Sequence, residues 1–311
     1  MTSEVSRAAE ILRAGGLVAF PTETVYGLGA DASSAQAVAR LYAAKGRPAD
    51  HPVIVHFKDA ASAFEWAREV PEEARMLAEK FWPGPITLIL KRSPKAKDFV
   101  TGGQDRVGLR VPSHPVAQAL LRAFGGGVAA PSANEFGKVS PTTAQHVSGD
   151  LAGKVDLILE GGPSEVGIES TIVDLSSGKP ILLRPGHISK ASLEQVLKMQ
   201  VLDRDSASPR HSGGLERHYA PKTPARLVPP HALDAEIVKH GLDVAVLAFS
   251  KPDERVDYWI RMPRDPTAYA QRLYAALREL DRAGCGAILI ESPPETAEWD
   301  AVRDRLQRAC R

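Results

Sequence analysis

Short apolar runs of strand length alternate with amphipathic stretches of helical length along this chain, and no other feature narrows its fold so far, because such alternation marks a sheet covered by helices. Strands are expected at 17–20, 53–57, 86–91, 107–111, 127–130, 155–159, 170–175 and 181–184. Helices are expected at 4–14, 34–44, 60–69, 72–81, 115–124, 142–149 and 189–199, each with ordinary start and stop residues. Nothing repeats, so residues 1–199 read as one α/β domain whose strand order the pattern leaves open. Residues 200–222 lose periodicity and gather turn formers, which makes them a linker, and Tyr219 beside His218 and Pro221 favours an ordered contact there. From residue 223 to 311 strands at 225–228, 244–249 and 286–290 alternate with helices at 231–240, 266–283 and 296–309, as in a small βα unit with a mainly parallel sheet. A chain of 311 residues is long enough for two such cores.

Composition excludes several classes. A net charge of +1 gives no global pull on nucleic acid, so anion binding must come from local clusters of Lys and Arg. No apolar stretch is long enough to span a membrane, and residues 1–13 read as a mixed-charge amphipathic helix rather than a signal peptide. The two cysteines, Cys285 and Cys310, lie near the end of the chain, which rules out a cysteine-based zinc site in the first domain and fits a reducing compartment. The cytoplasm is the expected location, with no membrane partner.

The strand at 17–20 stops at Pro21 and runs into Thr22-Glu23-Thr24-Val25-Tyr26-Gly27-Leu28-Gly29. In an extended segment Thr22, Thr24 and Tyr26 share a face and would offer three hydroxyls to one cavity while Val25 packs behind. Gly27 and Gly29 would let the backbone approach a ligand. An ordinary glycine turn accounts for these residues equally well on their own.

Arg47 precedes Pro48, Arg184 precedes Pro185, and Arg110 lies two residues before Pro112. The residue before proline is pushed toward extended geometry, and Arg110 and Arg184 also close apolar strands. With Lys45 they make four cations whose convergence would suit a phosphate or carboxylate substrate, the alternative being four unrelated surface charges. Two further polar groups follow strands: Pro131-Ser132-Ala133-Asn134 with Ser140-Pro141-Thr142, and Gly167-Ile168-Glu169-Ser170-Thr171. Each alone is explained by turn chemistry. Neither a P-loop nor a dinucleotide fingerprint is present, and His51 and His56 lack partners at zinc spacing.

Taken together, the segment 21–29, Lys45-Gly-Arg-Pro with His51-Pro-Val-Ile-Val-His56, Trp82-Pro-Gly-Pro-Ile-Thr, Arg110-Val-Pro, Pro131-Ser-Ala-Asn, Glu169-Ser-Thr-Ile and Leu183-Arg-Pro-Gly resemble the YrdC-type threonylcarbamoyl-AMP synthases. The resemblance covers residues 8–199, and His218-Tyr-Ala-Pro with the following unit resembles the linker and C-terminal domain of the longer, two-domain members. It implies a twisted mixed sheet around a large basic cavity, followed by a small Rossmann-like βα domain. It also implies that L-threonine, bicarbonate or CO2, and ATP with Mg2+ give threonylcarbamoyl-AMP and pyrophosphate, without a covalent enzyme nucleophile. The product would pass to the tRNA threonylcarbamoyl transferase machinery, with RNA contact as a further expectation.

By motif position the resemblance assigns L-threonine to Thr24, His56, Arg110, Ala130 and Ser170. ATP falls to Lys45, Arg47, His51, Arg106, Ser132, Asn134, Ser140, Arg184 and Tyr219. His51 stands where asparagine is frequent in the family, Arg106 where a small polar residue is common, and Ser212-Gly-Gly where Ser-Pro-Gly is familiar. Two readings compete. A double-stranded RNA-binding module explains the arginines but not the paired threonines, and carbamoyl transfer in hydrogenase maturation calls for zinc-binding cysteines that the early chain lacks.

Overall fold

In the computed structural model, which describes residues 2–310, the chain divides into two compact units. Among the described residues the first comprises 2–136, 141–165 and 169–214, and the second comprises 137–140, 166–168 and 215–310. Met1 and Arg311, the ends of the two expected domains, lie outside the described residues.

The first unit runs α1 (Thr2–Arg13), β1 (Val18–Phe20), β2 (Gly27–Asp31), α2 (Ala35–Lys45), β3 (Ile54–His56), α3 (Ala60–Phe64), α4 (Glu72–Phe81), β4 (Ile86–Lys91), α5 (Asp98–Thr101), β5 (Arg106–Arg110) and α6 (Pro115–Phe124). It continues with β6 (Val128–Ala129), α7 (Ala144–Leu151), β7 (Leu157–Ile158), β8 (Thr171–Asp174), β9 (Ile181–Arg184), α8 (Lys190–Leu197) and β10 (Leu202–Asp203). Its ten strands form one mixed sheet in the order β10-β9-β8-β4-β5-β3-β6-β2-β1-β7.

Helix entries follow local chemistry. Ser34, Asp59, Thr143 and Ser189 each accept a backbone N–H three residues on, satisfying a donor that the first turn leaves open. Gly46, at φ +63°, stops α2 so that Lys45 ends the helix and Arg47 leaves it.

The fold departs from the sequence pattern at identifiable places. Residues 27–31, expected as glycine-rich loop, are strand β2, paired antiparallel with β1 at Val18–Gly29 and Phe20–Gly27. A Cβ on Gly29 would stand 2.9 Å from both Phe20 Cε1 and Val128 Cγ1, so this glycine admits neighbouring core side chains rather than a ligand. The linker also contributes: β10 pairs in parallel with β9 and extends the first sheet. The helix expected over 60–69 ends at Phe64, and α5 and β10 are too short to carry a periodicity that the sequence pattern could reveal.

The second unit holds β11 (Ala225–Val228), α9 (Leu233–His240), β12 (Val244–Ala248), β13 (Tyr258–Arg261), α10 (Pro266–Asp281), β14 (Ala287–Glu291) and α11 (Asp300–Ala309). All its strands pair in parallel, in the order β11-β14-β12-β13, which is the βα architecture the sequence pattern implies. β13 has no clear signature in the sequence because its Tyr258 and Arg261 are exposed and only Ile260 is buried. No helix among the described residues is long and apolar enough to cross a membrane.

Candidate functional site

Strand register assembles a polar stripe across the first sheet. In β4 and β5 the Leu88–Leu109 pair puts Thr87 opposite Arg110, and β3 and β5 set His56 beside Arg110. Ser170 directly precedes β8, its Oγ lies 2.8 Å from Thr87 Oγ1, and Arg184 at the end of β9 donates to it at 3.1 Å. Arg184, Ser170, Thr87, Arg110 and His56 thus run from strand to strand, all buried. Ile54, Ile89 and Ile172, each two residues along from His56, Thr87 and Ser170, form an apolar floor together with Leu183, the neighbour of Arg184 at the register shift between β8 and β9. Gly108 keeps that floor clear, because a Cβ there would stand 3.1 Å from Ile89 Cδ1.

Thr24 meets the stripe from the loop after β1. Its Oγ1 accepts from Arg110 at 2.9 Å and lies 2.9 Å from Thr22 Oγ1. Thr22 is the turn-former: its hydroxyl donates to Val25 O at 2.6 Å and accepts from the Val25 and Thr24 amides. Tyr26 does not share that face. It is buried among Leu17, Ala19, Leu28 and Leu41, its hydroxyl donates to Gly162 O at 2.8 Å, and burial with the nearby Glu160 charge pushes its pKa up to about 12. The three-hydroxyl wall expected from an extended segment therefore reduces to Thr24, because a turn intervenes before Tyr26.

Glu23, given no role by the sequence, accepts from Arg110 at 2.7 Å and from the Ser113 amide at 3.1 Å. Both members of this ion pair are almost fully buried. Despite it, Arg110 Nε has no hydrogen-bond partner among the described residues, and neither has His56 Nδ1. His56 lies edge-on to Phe20, and burial followed by the Arg110 charge lowers its pKa to about 3, so it is a neutral imidazole in ordinary buffers. Ala130 is buried beside this region, its N–H donating to Ile54 O at 3.0 Å.

A second cluster gathers the remaining cations. Lys45 Nζ donates to Ser132 O at 2.6 Å and Asn134 O at 2.5 Å, and burial together with Arg47 holds its pKa well below the usual lysine value. Arg47 donates to Pro52 O at 2.7 Å and lies 5.6 Å from the Phe136 ring centre. His51 is edge-on to the same ring, with its pKa lowered by burial and by Arg47. Arg47 and Arg184 converge on Ser212, one through its hydroxyl at 3.5 Å and the other through its carbonyl at 2.9 Å. Arg106 lies at the other end of the floor, bonded to Ser176 Oγ at 2.7 Å, and lines one pocket with Ile54, Ile89, Gly108, Ile172 and Ser212.

Of the residues assigned from motif position, Thr24, His56, Arg110 and Ser170 share the stripe, and Lys45, Arg47, His51, Ser132, Asn134 and Arg184 form the cationic cluster beside Ser212. Ser140 and Tyr219 belong to the second unit. Glu23, Thr87 and Ser212 are participants that stand within the sequence motifs but receive no role from them. A carboxylate between Thr22 and Thr24, directly after an apolar strand, is the sequence signal for Glu23. Among the described residues no group of three or more His, Cys, Asp or Glu side chains is arranged to hold a metal ion.

The chain matches two family profiles end to end. Residues 10–186 match the Sua5/YciO/YrdC family, described as telomere recombination, and residues 188–310 match the threonylcarbamoyl-AMP synthase C-terminal domain. The threonylcarbamoyl-AMP synthase of Pyrococcus abyssi is 40% identical over 97% of this chain and 92% of its own length, and that of Bacillus subtilis is 40% identical over 98% and 92%. Among solved structures, P. abyssi Sua5 complexed with L-threonine superposes with a TM-score of 0.93 at 38% identity, covering 100% of this chain and 95% of that one. E. coli YciO, at 28% identity and a TM-score of 0.53, covers 60% of this chain and 91% of its own. By sheet, by second unit and by both profiles, the chain belongs to the Sua5/YciO/YrdC family in its two-domain, Sua5-type form.

Proposed function

We propose that the chain condenses L-threonine, bicarbonate taken up as CO2, and ATP into threonylcarbamoyl-AMP with release of pyrophosphate, for threonylcarbamoyladenosine modification of tRNA. The observation that carries this reading is the pair of unpartnered buried groups, Arg110 Nε and His56 Nδ1, on adjacent strands beside Thr24. Buried polar groups seek partners, and a donor beside an acceptor-capable imidazole suits the carboxylate and amino group of one amino acid. The L-threonine named with P. abyssi Sua5 supports the same assignment.

In this reaction Arg110 binds the threonine carboxylate, with Glu23 fixing the guanidinium, while Thr24 and Ser170 orient the remaining polar groups. His56, uncharged above about pH 3, does not repel the substrate amine. The amine lone pair forms the N–C bond to CO2 and gives up a proton. A carbamate oxygen then attacks the α-phosphorus of ATP, forming the O–P bond as the bond to pyrophosphate breaks.

Lys45, Arg47, His51, Ser132, Asn134 and Arg184 receive the nucleotide. Arg106, Ser140 and Tyr219 complete the ATP assignment, and Ala130 that of threonine. Positioning and charge neutralisation do the catalytic work. Magnesium enters as part of the substrate MgATP. The reaction belongs in the cytoplasm, where the acyl-adenylate is handed to a tRNA-modifying transferase.

The test is pyrophosphate release by the purified chain with each substrate withheld in turn. Release should require threonine, bicarbonate and MgATP together. Pyrophosphate formed without threonine, or salt-sensitive binding of double-stranded RNA with no turnover, would overturn the reading.

A further inference from the structure

The largest fully buried side chain among the described residues is Arg305 on α11, in the second unit. Its carboxylate neighbour is Asp304, at 2.8 Å, and its guanidinium carbon lies 5.4 Å from the ring centre of Tyr219. Tyr219 is itself 1% exposed, stacks on Tyr274 with ring centres 5.8 Å apart, and holds φ at +60°, a left-handed conformation unusual for an aromatic residue. Arg308, one turn along α11, fixes the approach: its carbonyl accepts the His218 N–H at 3.1 Å and its guanidinium donates to Leu215 O. Asp304 ties both arginines together, accepting from Arg308 Nε at 3.1 Å. A charge is costly to bury, and a guanidinium over an aromatic face recovers most when desolvated.

We propose that Arg305 is a positioning residue for the nucleotide, acting through Tyr219. The second unit then has a defined role, in which α11 holds the linker tyrosine in a conformation that the isolated linker would not keep. The same unit holds the other assigned residue, Ser140. Arg278 on α10 donates to Val139 O and to Ser140 O at 3.4 Å, and Lys138 bridges in parallel to Ala220 next to Tyr219. This inference rests on the proposed assignment of Tyr219 to ATP.

A double-mutant cycle in the full-length chain tests it, using Arg305→Met, Tyr219→Leu and both together, with KM for ATP, KM for threonine and kcat measured for each. Arg305→Met should raise KM for ATP about tenfold while moving KM for threonine less than about twofold, as expected for loss of a desolvated cation–aromatic contact. It should add almost nothing in the Tyr219→Leu background, and Arg305→Lys should restore part of the loss. Should Arg305→Met fail to accumulate as folded protein, the uncharged Arg305→Gln takes its place in the same cycle. Additive effects, or equal rises in both KM values, would identify a merely structural residue and overturn the proposal. If Tyr219→Leu acts and Arg305→Met is silent, the proposal alone falls. If Tyr219→Leu is itself silent, the assignment of Tyr219 to ATP falls as well.

Discussion

Replacing His56 by glutamine should flatten the acid side of the protein's stability profile. The imidazole is fully enclosed and faces the Arg110 guanidinium, so the folded state holds it neutral down to about pH 3. In the unfolded chain the same group titrates near 6.5. Below that value the unfolded state binds a proton that the folded state refuses. Stability is therefore complete above about pH 6.5 and is lost as pH falls toward the folded pKa.

Between pH 8 and pH 5 the linkage relation gives a loss of about 2 kcal/mol from this one residue, because one and a half units below the unfolded pKa cost about 1.4 kcal/mol each. Urea unfolding of wild type and His56→Gln at both pH values reads it directly, followed by the fluorescence of Trp66 and Trp82 in the first unit. The other eight of the nine histidines contribute equally to both proteins and cancel in the difference. The variant should lose about 2 kcal/mol less than wild type over that interval, and the His56 ring signal should not titrate by NMR above pH 5. Identical pH dependence in the two proteins, or a His56 signal titrating near 6.5, would refute the reasoning.

Three further outcomes follow from the geometry. Gly29→Ala should cost about 1–3 kcal/mol, since its Cβ would stand 2.9 Å from two fully buried side chains, and an unchanged melting temperature would contradict that packing. Glu23→Gln leaves the buried Arg110 charge uncompensated and should cost about 3 kcal/mol while raising KM for threonine, read by chemical denaturation and by steady-state kinetics. Arg184→Ala should abolish pyrophosphate release and also destabilise the fold by about 1–3 kcal/mol, because Ser170 loses bonds to both its hydroxyl and its carbonyl. Wild-type turnover in that variant would remove Arg184 from the nucleotide site.

Much of this protein is legible because its elements carry strong local patterns. The helices at 72–81 and 115–124 and the strands at 86–91 and 181–184 appear in the structure with the bounds that periodicity and capping residues imply. The motifs likewise pick out polar residues that the structure gathers, because hydroxyls, amides and arginines at strand ends are chemically conspicuous. Residues 27–31 are illegible for the opposite reason: Gly-Leu-Gly-Ala-Asp has poor strand propensity, and only the need to pass under Phe20 and Val128 makes glycine the right residue there. Tyr26 departs from its expected face because a turn held by the Thr22 hydroxyl breaks the two-residue alternation just before it.

The sequence by itself determined the α/β class and the kinds of side chain available to a site, since these depend on interactions within a few residues. Tertiary structure alone decided which of them meet. His56, Arg110, Thr87 and Ser170 come from four segments and become neighbours only through the pairing of β3, β5, β4 and β8. The same pairing removes them from water, which turns ordinary polar residues into a neutral histidine and a charge-compensated arginine.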